Sequence, residues 1–392
     1  MAISKRILPV IVIAQFCCTS LWFASNSVIN NIIADFGLNE NALGYLTSAI
    51  QFGFIIGTLT FAILNISDKF SPSKVFFWCA IAGAALNLGI TWNNNSLSSL
   101  LLFRFSTGFF LAGIYPVGMK IAADYFEKGL GRSLSFLVGA LVLGTAFPHL
   151  LSQIVKTLNW HTVIYATSIF AIIGGLLILT LVPDGPYRKV SKQIDLMSFI
   201  KIFKERRFRS AAFGYFGHMW ELYTFWTFVP IILKNYGTEL QANFNISFLS
   251  FLIIGAGSIA CIIGGYISEK KGVKNTIVTA LALSGLCCLV SGLIFSVSSE
   301  IIFISFLIFW GMVVIMDSPL LSTLIAQNAV PEKKGTALTI VNCLGYSITI
   351  ISIQLLNEII NLTDSKNVFI ILAIGPIIGV ISLIKKQKAI FV

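Results

Sequence analysis

Four ionisable side chains stand in apolar surroundings: His218 and Glu221 within GHMWELYTFW (217–226), Asp317 within VVIMDSPLL (313–321) and Arg104 within LLFRFSTG (101–108). His218 and Glu221 are spaced i, i+3, so on a helix they share a face. A carboxyl group removed from water is favoured in its neutral form, and an imidazole beside it can relay or modulate its proton. The chemistry these residues offer is proton exchange. Glu221 would be the principal carboxylate, His218 its partner, and Asp317 a second proton site or a counter-charge for Arg104. The plainer alternative for Glu221 is a carboxylate held by a fixed hydrogen bond to Tyr, Trp or His and serving structure alone. Arg104 has the charge to hold an anionic group or to regulate a carboxylate; its plainer alternative is to reach outward to the nearest polar surface.

The elements that must carry these groups follow from composition. Of 392 residues, 56% are hydrophobic and 11% charged, with mean hydropathy +0.89, against about 25% charged in soluble proteins. The apolar runs are about 20–27 residues long, enough to cross a hydrocarbon core of roughly 30 Å as helices. The fold class is therefore an all-α polytopic membrane protein, and the lipid bilayer is its first partner. Twelve spans are expected, at 7–30, 42–65, 74–92, 97–123, 132–155, 161–182, 209–234, 245–268, 275–297, 301–328, 336–359 and 367–384. The run after Lys5 and Arg6 is too long for a signal-peptide core and is read as the first span. The polar, basic stretch 183–208 divides the chain into an N-terminal six-helix bundle (1–182) and a C-terminal one (209–392).

Charge placement orients the chain. Most of the 27 Lys and Arg fall on the side shared by both termini and the 183–208 linker, among them Lys69, Lys74, Lys128, Arg188, Arg206, Arg207, Arg209, Lys270, Lys271, Lys274, Lys333, Lys334 and Lys385. Only Lys156, Lys234 and Lys366 fall on the other side. The positive-inside rule then puts both termini in the cytoplasm. It also accounts for the net charge of +11 without a nucleic-acid partner. The seven cysteines form no CxxC and have no neighbouring His, so they read as small buried hydrophobes. No cofactor and no metal site is expected. HExxH and GxSxG are both absent, and no enzyme activity is expected.

The halves repeat at an offset of about 200 residues. SDKFSPSK (67–74) answers SEKKGVK (268–274). Gly108 with Tyr115-Pro116 before EKGLGRS (127–133) answers Gly311 with Ser318-Pro319 before PEKKGTA (331–337), and Trp22 answers Trp226. Asp68 with Lys69, and Glu269 with Lys270, follow spans on the cytoplasmic side. In a pseudo-symmetric bundle each acid could meet the helix N-terminus opening the opposite half's fifth span, at Gly335 or Gly131, a contact of about 0.3–2 kcal/mol that would act as a cytoplasmic gate. The alternative is a solvated loop charge that only sets topology. Lys120 and Asp124, spaced i, i+4, read as an interfacial pair.

Two six-span halves, a basic central loop and these landmarks resemble the major facilitator superfamily over nearly the whole chain. Asp68, Lys69 and Lys74 match its loop motif after span 2, though Ser71 and Pro72 stand where Gly and Arg are usual. Arg104 and Gly108 match its Arg-x-x-x-Gly in span 4. Gly139, Gly144 and Pro148 match the span-5 motif only in part, lacking the Gly-Pro and Gly-Gly pairs of antiporters. AGIYPVGMK (112–120) and GHMWELY are similar to an uncharacterised or anion-porter-like bacterial branch. The resemblance implies two pseudo-symmetric bundles whose spans 1, 4, 7 and 10 line a central cavity. Gln15, Trp22, Arg104, Tyr115, Trp220, Tyr223, Trp226 and Asn342 are then candidate substrate contacts. It implies a monomeric secondary transporter coupled to protons, with sodium the alternative. The first expectation is symport of an anionic or zwitterionic metabolite; the rival is a proton-driven exporter of drugs or metabolites. Spans 2 and 8 lack the Arg of nitrate porters, span 1 lacks the Glu-x-x-Glu-Arg of peptide transporters, and sugar-porter loop signatures are missing.

Overall fold

The computed structural model describes residues 6–126, 130–188, 203–330, 334–363 and 365–385. The middle of the expected linker (189–202) and the basic residues Lys128 and Lys333 lie outside the described residues, as do the surroundings of Gly131.

Every described element is helical. The first half holds α1 (Ile7–Thr19), α2 (Ile29–Phe36), α3 (Ala42–Ile63), α4 (Ile66–Lys69), α5 (Pro72–Leu88), α6 (Leu97–Leu111), α7 (Tyr115–Tyr125), α8 (Leu130–Ile154) and α9 (His161–Leu181). The second holds α10 (Arg206–Leu240), α11 (Ile246–Lys271), α12 (Val273–Ile294), α13 (Glu300–Met316), α14 (Ser318–Asn328), α15 (Lys334–Leu362), a 3₁₀ segment (Lys366–Ala373) and α16 (Ile374–Ile384). Among the described residues ten segments are long and apolar enough to cross a membrane. The first expected span instead breaks into α1 and α2, and the seventh is the 35-residue α10, longer than the apolar run by itself.

The halves meet along two seams, α3 against α15 and α8 against α11. One end of the bundle carries the linker and is called here the linker face; the other is the far face. Glycines let the backbones close up, and they do so symmetrically. A Cβ on Gly108 would lie 2.0 Å from the carbonyl oxygen of Ile50, and one on Gly311 would lie 2.1 Å from that of Ile253. Both members of the second contact stand the same number of residues after their counterparts in the first, so the repeat read in the sequence is a repeat of helix packing.

Three spans break near mid-depth, each for a local reason. In the first, Thr19 Oγ1 donates back to Gln15 O at 2.8 Å and Ser20 Oγ to Cys17 O at 2.7 Å. Such back-bonding competes with the helix ladder, and Ser20–Ser25 leave the helix as turns. Between α6 and α7, Pro116 lacks the N–H its turn needs, and Ala112–Ile114 unwind. Between α13 and α14, Pro319 does the same beside Asp317. The carbonyl of Ile315, four residues before that proline, accepts the Cys261 thiol at 3.6 Å.

Candidate functional site

The break in the first span is held by Arg104. Its Nη1 donates to Leu21 O at 3.0 Å and its Nη2 to Trp22 O, two carbonyls stripped of their helical partners. Arg104 is fully buried on α6, its Nε has no protein partner, and among the described residues no carboxylate lies in ion-pair distance of it. The expected pairing of Arg104 with Asp317 is not formed. The guanidinium is a fixed buried cation bonded to backbone, and it presents Trp22 toward the other half.

Trp22 is the centre of an aromatic cluster across the seam. Its ring stacks on Tyr223 (centroids 5.7 Å apart, planes 19° apart) and Tyr346 (6.0 Å, 27°) of the second half and leans on Phe54 at 4.9 Å. Tyr223 and Tyr346 share a hydroxyl hydrogen bond of 3.0 Å. Trp226 meets Tyr223 edge-on at 5.3 Å and Phe23 at 6.4 Å, and Phe23 in turn meets the His149 ring at 6.5 Å. Within this buried cluster the indole N–H groups of Trp22 and Trp226 have no protein partner. Nor do both ends of the Gln51 amide, one turn before Phe54 and Ile55 on α3, nor the Ser25 hydroxyl in the unwound stretch. A buried polar group left unpaired costs about 1–3 kcal/mol, so this concentration marks a place built to meet something polar.

The other expected contacts divide. Tyr115, at the start of α7, lies within electrostatic reach of Tyr223 and Cys261 and belongs with the seam. Asn342 is half-buried on α15, one residue before Cys343, whose thiol reaches Ile55 O across the seam at 3.9 Å. Gln15 does not face the seam: its Oε1 would lie 2.3 Å from a Cβ on Gly118, inside the first half. Trp220 also turns inward, donating to Ile371 O at 3.2 Å within the second half. The sequence named these two as polar or aromatic residues on cavity-lining spans but could not supply the rotation of each helix.

The acids separate as well. His218 Nδ1 lies 2.9 Å from Asp317 Oδ1, and both residues are 1% exposed, with Asp317 at the break between α13 and α14. Glu221 does not pair with His218. Its Oε1 accepts from Trp310 Nε1 at 2.6 Å and from the Cys288 thiol at 3.3 Å, and its Oε2 accepts from Ser284 Oγ at 2.9 Å. The reason is helical rotation: Tyr223, two residues on, faces the seam, so Glu221 faces α12 and α13 behind it. The carboxylate cross-ties three helices of the second half.

The far face is shut by an amide clasp. Gln354 Nε2 donates to Gly44 O at 2.9 Å and Ser48 Oγ at 2.6 Å; Asn357 donates to Asn41 Oδ1 at 3.2 Å, and Asn361 donates to the same oxygen. At the linker face nothing approaches the Cβ position of Gly335. Asp68 is therefore not on that helix end. It pairs instead inside its own half with Lys120 at 2.7 Å, and Lys120 also reaches Asp124 at 3.7 Å, the i, i+4 pair expected. Arg188, at the start of the linker, donates to the carbonyls of Asp68 (3.0 Å) and Phe70 (2.8 Å). Lys69, Glu269 and Lys270 are exposed at helix ends.

Sequence reading missed Gln51, Ser25, Tyr346 and the clasp of Asn41, Gln354 and Asn357. Their signal was available as polar residues inside apolar runs, but uncharged side chains carry too small a cost to stand out.

Comparison with known proteins adds the following. The sequence model described as Major Facilitator Superfamily matches residues 11–353. The chain is similar to the uncharacterized MFS-type transporter YceJ of Bacillus subtilis (strain 168), 23% identical over 262 residues, covering 64% of this chain and 63% of that protein. It is similar to the bicyclomycin resistance protein homolog of Haemophilus influenzae, at 21% over 337 residues, covering 81% and 80%. It is also similar to the gallate transporter of Pseudomonas putida, at 22% over 299 residues, covering 66% and 64%. Several matches span less than two thirds of the relative, down to 23% of the efflux pump FUB11 of Gibberella moniliformis. Among solved structures, the human organic anion transporter MFSD10 superposes with TM-score 0.73 at 14% identity, covering 98% of this chain and 100% of that one. The proton:xylose symporter XylE superposes with TM-score 0.74 at 13% identity, covering 97% and 95%. These likenesses concern the fold.

Proposed function

The chain belongs to the Major Facilitator Superfamily and is a membrane-embedded transporter, and from that premise we propose that it carries small organic acids, anionic or zwitterionic, by proton-coupled symport with alternating access. The observation that carries the reading is the set of buried, unpartnered donors: the indole N–H groups of Trp22 and Trp226 in the aromatic cluster, with the Gln51 amide one turn before Phe54 on α3. An indole N–H only donates, so a pair of them selects an acceptor such as a carboxylate. Arg104 supports the same sign. With carbonyls but no carboxylate for company, its charge leaves a positive potential behind Trp22 in a medium where charges act strongly. The gallate transporter among the relatives is consistent with an aromatic-lined site for an acid.

For the proton we favour the His218–Asp317 pair over Glu221. Buried carboxylate and imidazole groups in a span mark proton routes, and this pair sits at a helix break, where rocking of the halves changes its surroundings. Glu221 is saturated by three donors and suits a structural role. The halves rock about the seam. The far-face clasp is closed and Gly335 is free at the linker face, so the conformation reads as open toward the cytoplasm, given the Lys and Arg bias. Asp68 and Lys120 would then exchange partners as the linker face closes, with Glu269 and Lys270 in the matching place. The protein would act as a monomer in a bacterial plasma membrane with both termini cytoplasmic.

The test is uptake into liposomes holding the purified protein, with hydroxybenzoates and sugar acids as labelled solutes and an inside-alkaline pH gradient. Saturable uptake that a protonophore abolishes is expected, with Asp317→Asn losing the gradient response and retaining solute exchange. Flux that is neither saturable nor gradient-dependent would overturn the reading. A second reading, proton-driven export of lipophilic compounds, is favoured by one observation: the seam cluster is aromatic and its one nearby cation is spent on backbone. Counterflow with lipophilic cations but not with acids would establish that reading instead.

A further inference from the structure

We propose that the far face carries a second binding site, a waiting site for hydroxylated carboxylates, built where the two halves meet above the aromatic cluster. This deepens the transport reading and rests on it for its purpose, though its chemistry stands on its own residues. A cavity of about 370 Å³ opens there between the outer ends of the first, fifth, seventh and eighth spans. That volume lies within the roughly 300–1,000 Å³ of small-molecule sites. Its walls come from both halves, and Ser152 and Ser247 join them by a hydroxyl hydrogen bond of 3.1 Å.

The lining is rich in neutral groups that both donate and accept: Asn26, Asn31, Gln153 and Ser247. Such groups match hydroxyls, which also do both. Among the lining residues Lys156 carries the charge, and it forms no ion pair among the described residues. The nearby Asp35 is engaged by Trp160 Nε1 at 2.6 Å. The site therefore has one free cation set among hydroxyl-matching amides, which selects a carboxylate bearing hydroxyls over a neutral polyol or a plain fatty acid.

Two buried atoms point to a ligand independently of the lining. His149, 2% exposed, lines the cavity with an Nε2 that has no protein partner, and Asn26, 5% exposed, has an unpartnered Oδ1 while its Nδ2 donates to Thr47 at 2.7 Å. His149 follows Pro148 in α8 and its ring rests edge-on against Phe23, the residue that touches Trp226. It thus stands at the junction of the outer cavity and the aromatic cluster. A solute held by Lys156 and His149 is one ring away from the seam donors, and the clasp opening is what would let it pass.

The test measures binding to the full-length protein in lipid nanodiscs by calorimetry, with gluconate, hexanoate and sorbitol as probes. Gluconate has both hydroxyls and a carboxylate; each of the others has one of the two. We expect gluconate to bind at least fivefold more tightly than either control, and Lys156→Gln to weaken it at least fivefold. Lys156 is exposed, so this variant keeps the fold. Trp226→Ala, which damages the seam site, removes that site's share of the isotherm, and Lys156→Gln should weaken the remaining gluconate binding by the same factor as in the parent. Gluconate affinity indifferent to Lys156→Gln, or no gluconate binding, overturns the waiting site. Gluconate binding that persists in Trp226→Ala and still responds to Lys156→Gln upholds it even where the liposome assay shows no acid transport, so the two readings fail separately.

Discussion

Replacing Gln354 by Ala should open the far face. The side chain makes two of the hydrogen bonds that clasp α15 to α3, to Gly44 O and Ser48 Oγ. A net hydrogen bond is worth about 0.5–1.5 kcal/mol in water-soluble proteins, and interhelical ones in membranes average about 0.6 kcal/mol. Two bonds then stabilise the closed far face by about 1–2 kcal/mol. At 1.4 kcal/mol per factor of ten, their loss raises the ratio of open to closed about 5–30-fold. The readout is a cysteine placed at Ser25, which is 1% exposed in the unwound stretch of the first span. All seven native cysteines are buried, so a membrane-impermeant maleimide added from the far face reports the introduced one. Where opening is fast relative to labelling, the rate follows the open population, and Gln354→Ala should speed it by that factor. Ser48→Ala, which removes one of the two bonds, should give roughly the square root of the effect. A labelling rate within twofold of the parent, in a protein of unchanged melting temperature, would refute the assignment of these amides as the far-face closure.

Two further outcomes follow from packing within the halves. Glu221→Ala strips Trp310, Ser284 and Cys288 of their common acceptor, and with about 1–3 kcal/mol for each buried group left unpaired it should lower the melting temperature by several degrees. Glu221→Gln keeps an acceptor for the indole and should stay near the parent; a Gln variant as unstable as the Ala one, or stable but uncoupled from the pH gradient, would return Glu221 to the proton path. Gly108→Ala and Gly311→Ala, each driving a Cβ to about 2 Å from a backbone carbonyl, should cost about 1–3 kcal/mol apiece, whereas Gly335→Ala, with open space around it, should be neutral or slightly stabilising. Thermal denaturation in detergent checks all three, and equal effects at Gly108 and Gly335 would contradict the close approach.

The all-helical membrane fold and the repeat were legible because each rests on a large and local signal: runs of apolar residues, and glycines and prolines at matched positions. The Gly108 and Gly311 contacts on Ile50 and Ile253 are that repeat in three dimensions. That Glu221 and Asp317 fall inside apolar spans was legible from the sequence. Direction was not. Whether Glu221 faces the seam or α12 depends on a rotation of about 100° per residue, and the sequence around it, HMWELYTFW, is apolar on every side and so gives no moment to orient it. The same uniformity hid Gln15 and Trp220. The alternative of a carboxylate fixed by Trp was in reach for Glu221, and only the partner, Trp310, required the fold. Asp68 pairs with Lys120 in its own half, a partner that counting along the two spans does not pick out.

The two halves repeat in backbone but divide in chemistry, and the division bears on where energy enters. Each half interrupts a span near mid-depth and must satisfy the carbonyls so released. The first half does it with Arg104 on Leu21 and Trp22; a guanidinium keeps its charge throughout, so that break is a fixed support whose task is to hold Trp22 against Tyr223 and Tyr346. The second half does it with the neutral Cys261 thiol on Ile315 and sets beside the same break a carboxylate and an imidazole in contact, Asp317 and His218. That is where the two halves differ most in charged chemistry. Under the proposed proton-coupled reading, the second half is the one that would switch and the first the one against which it would move.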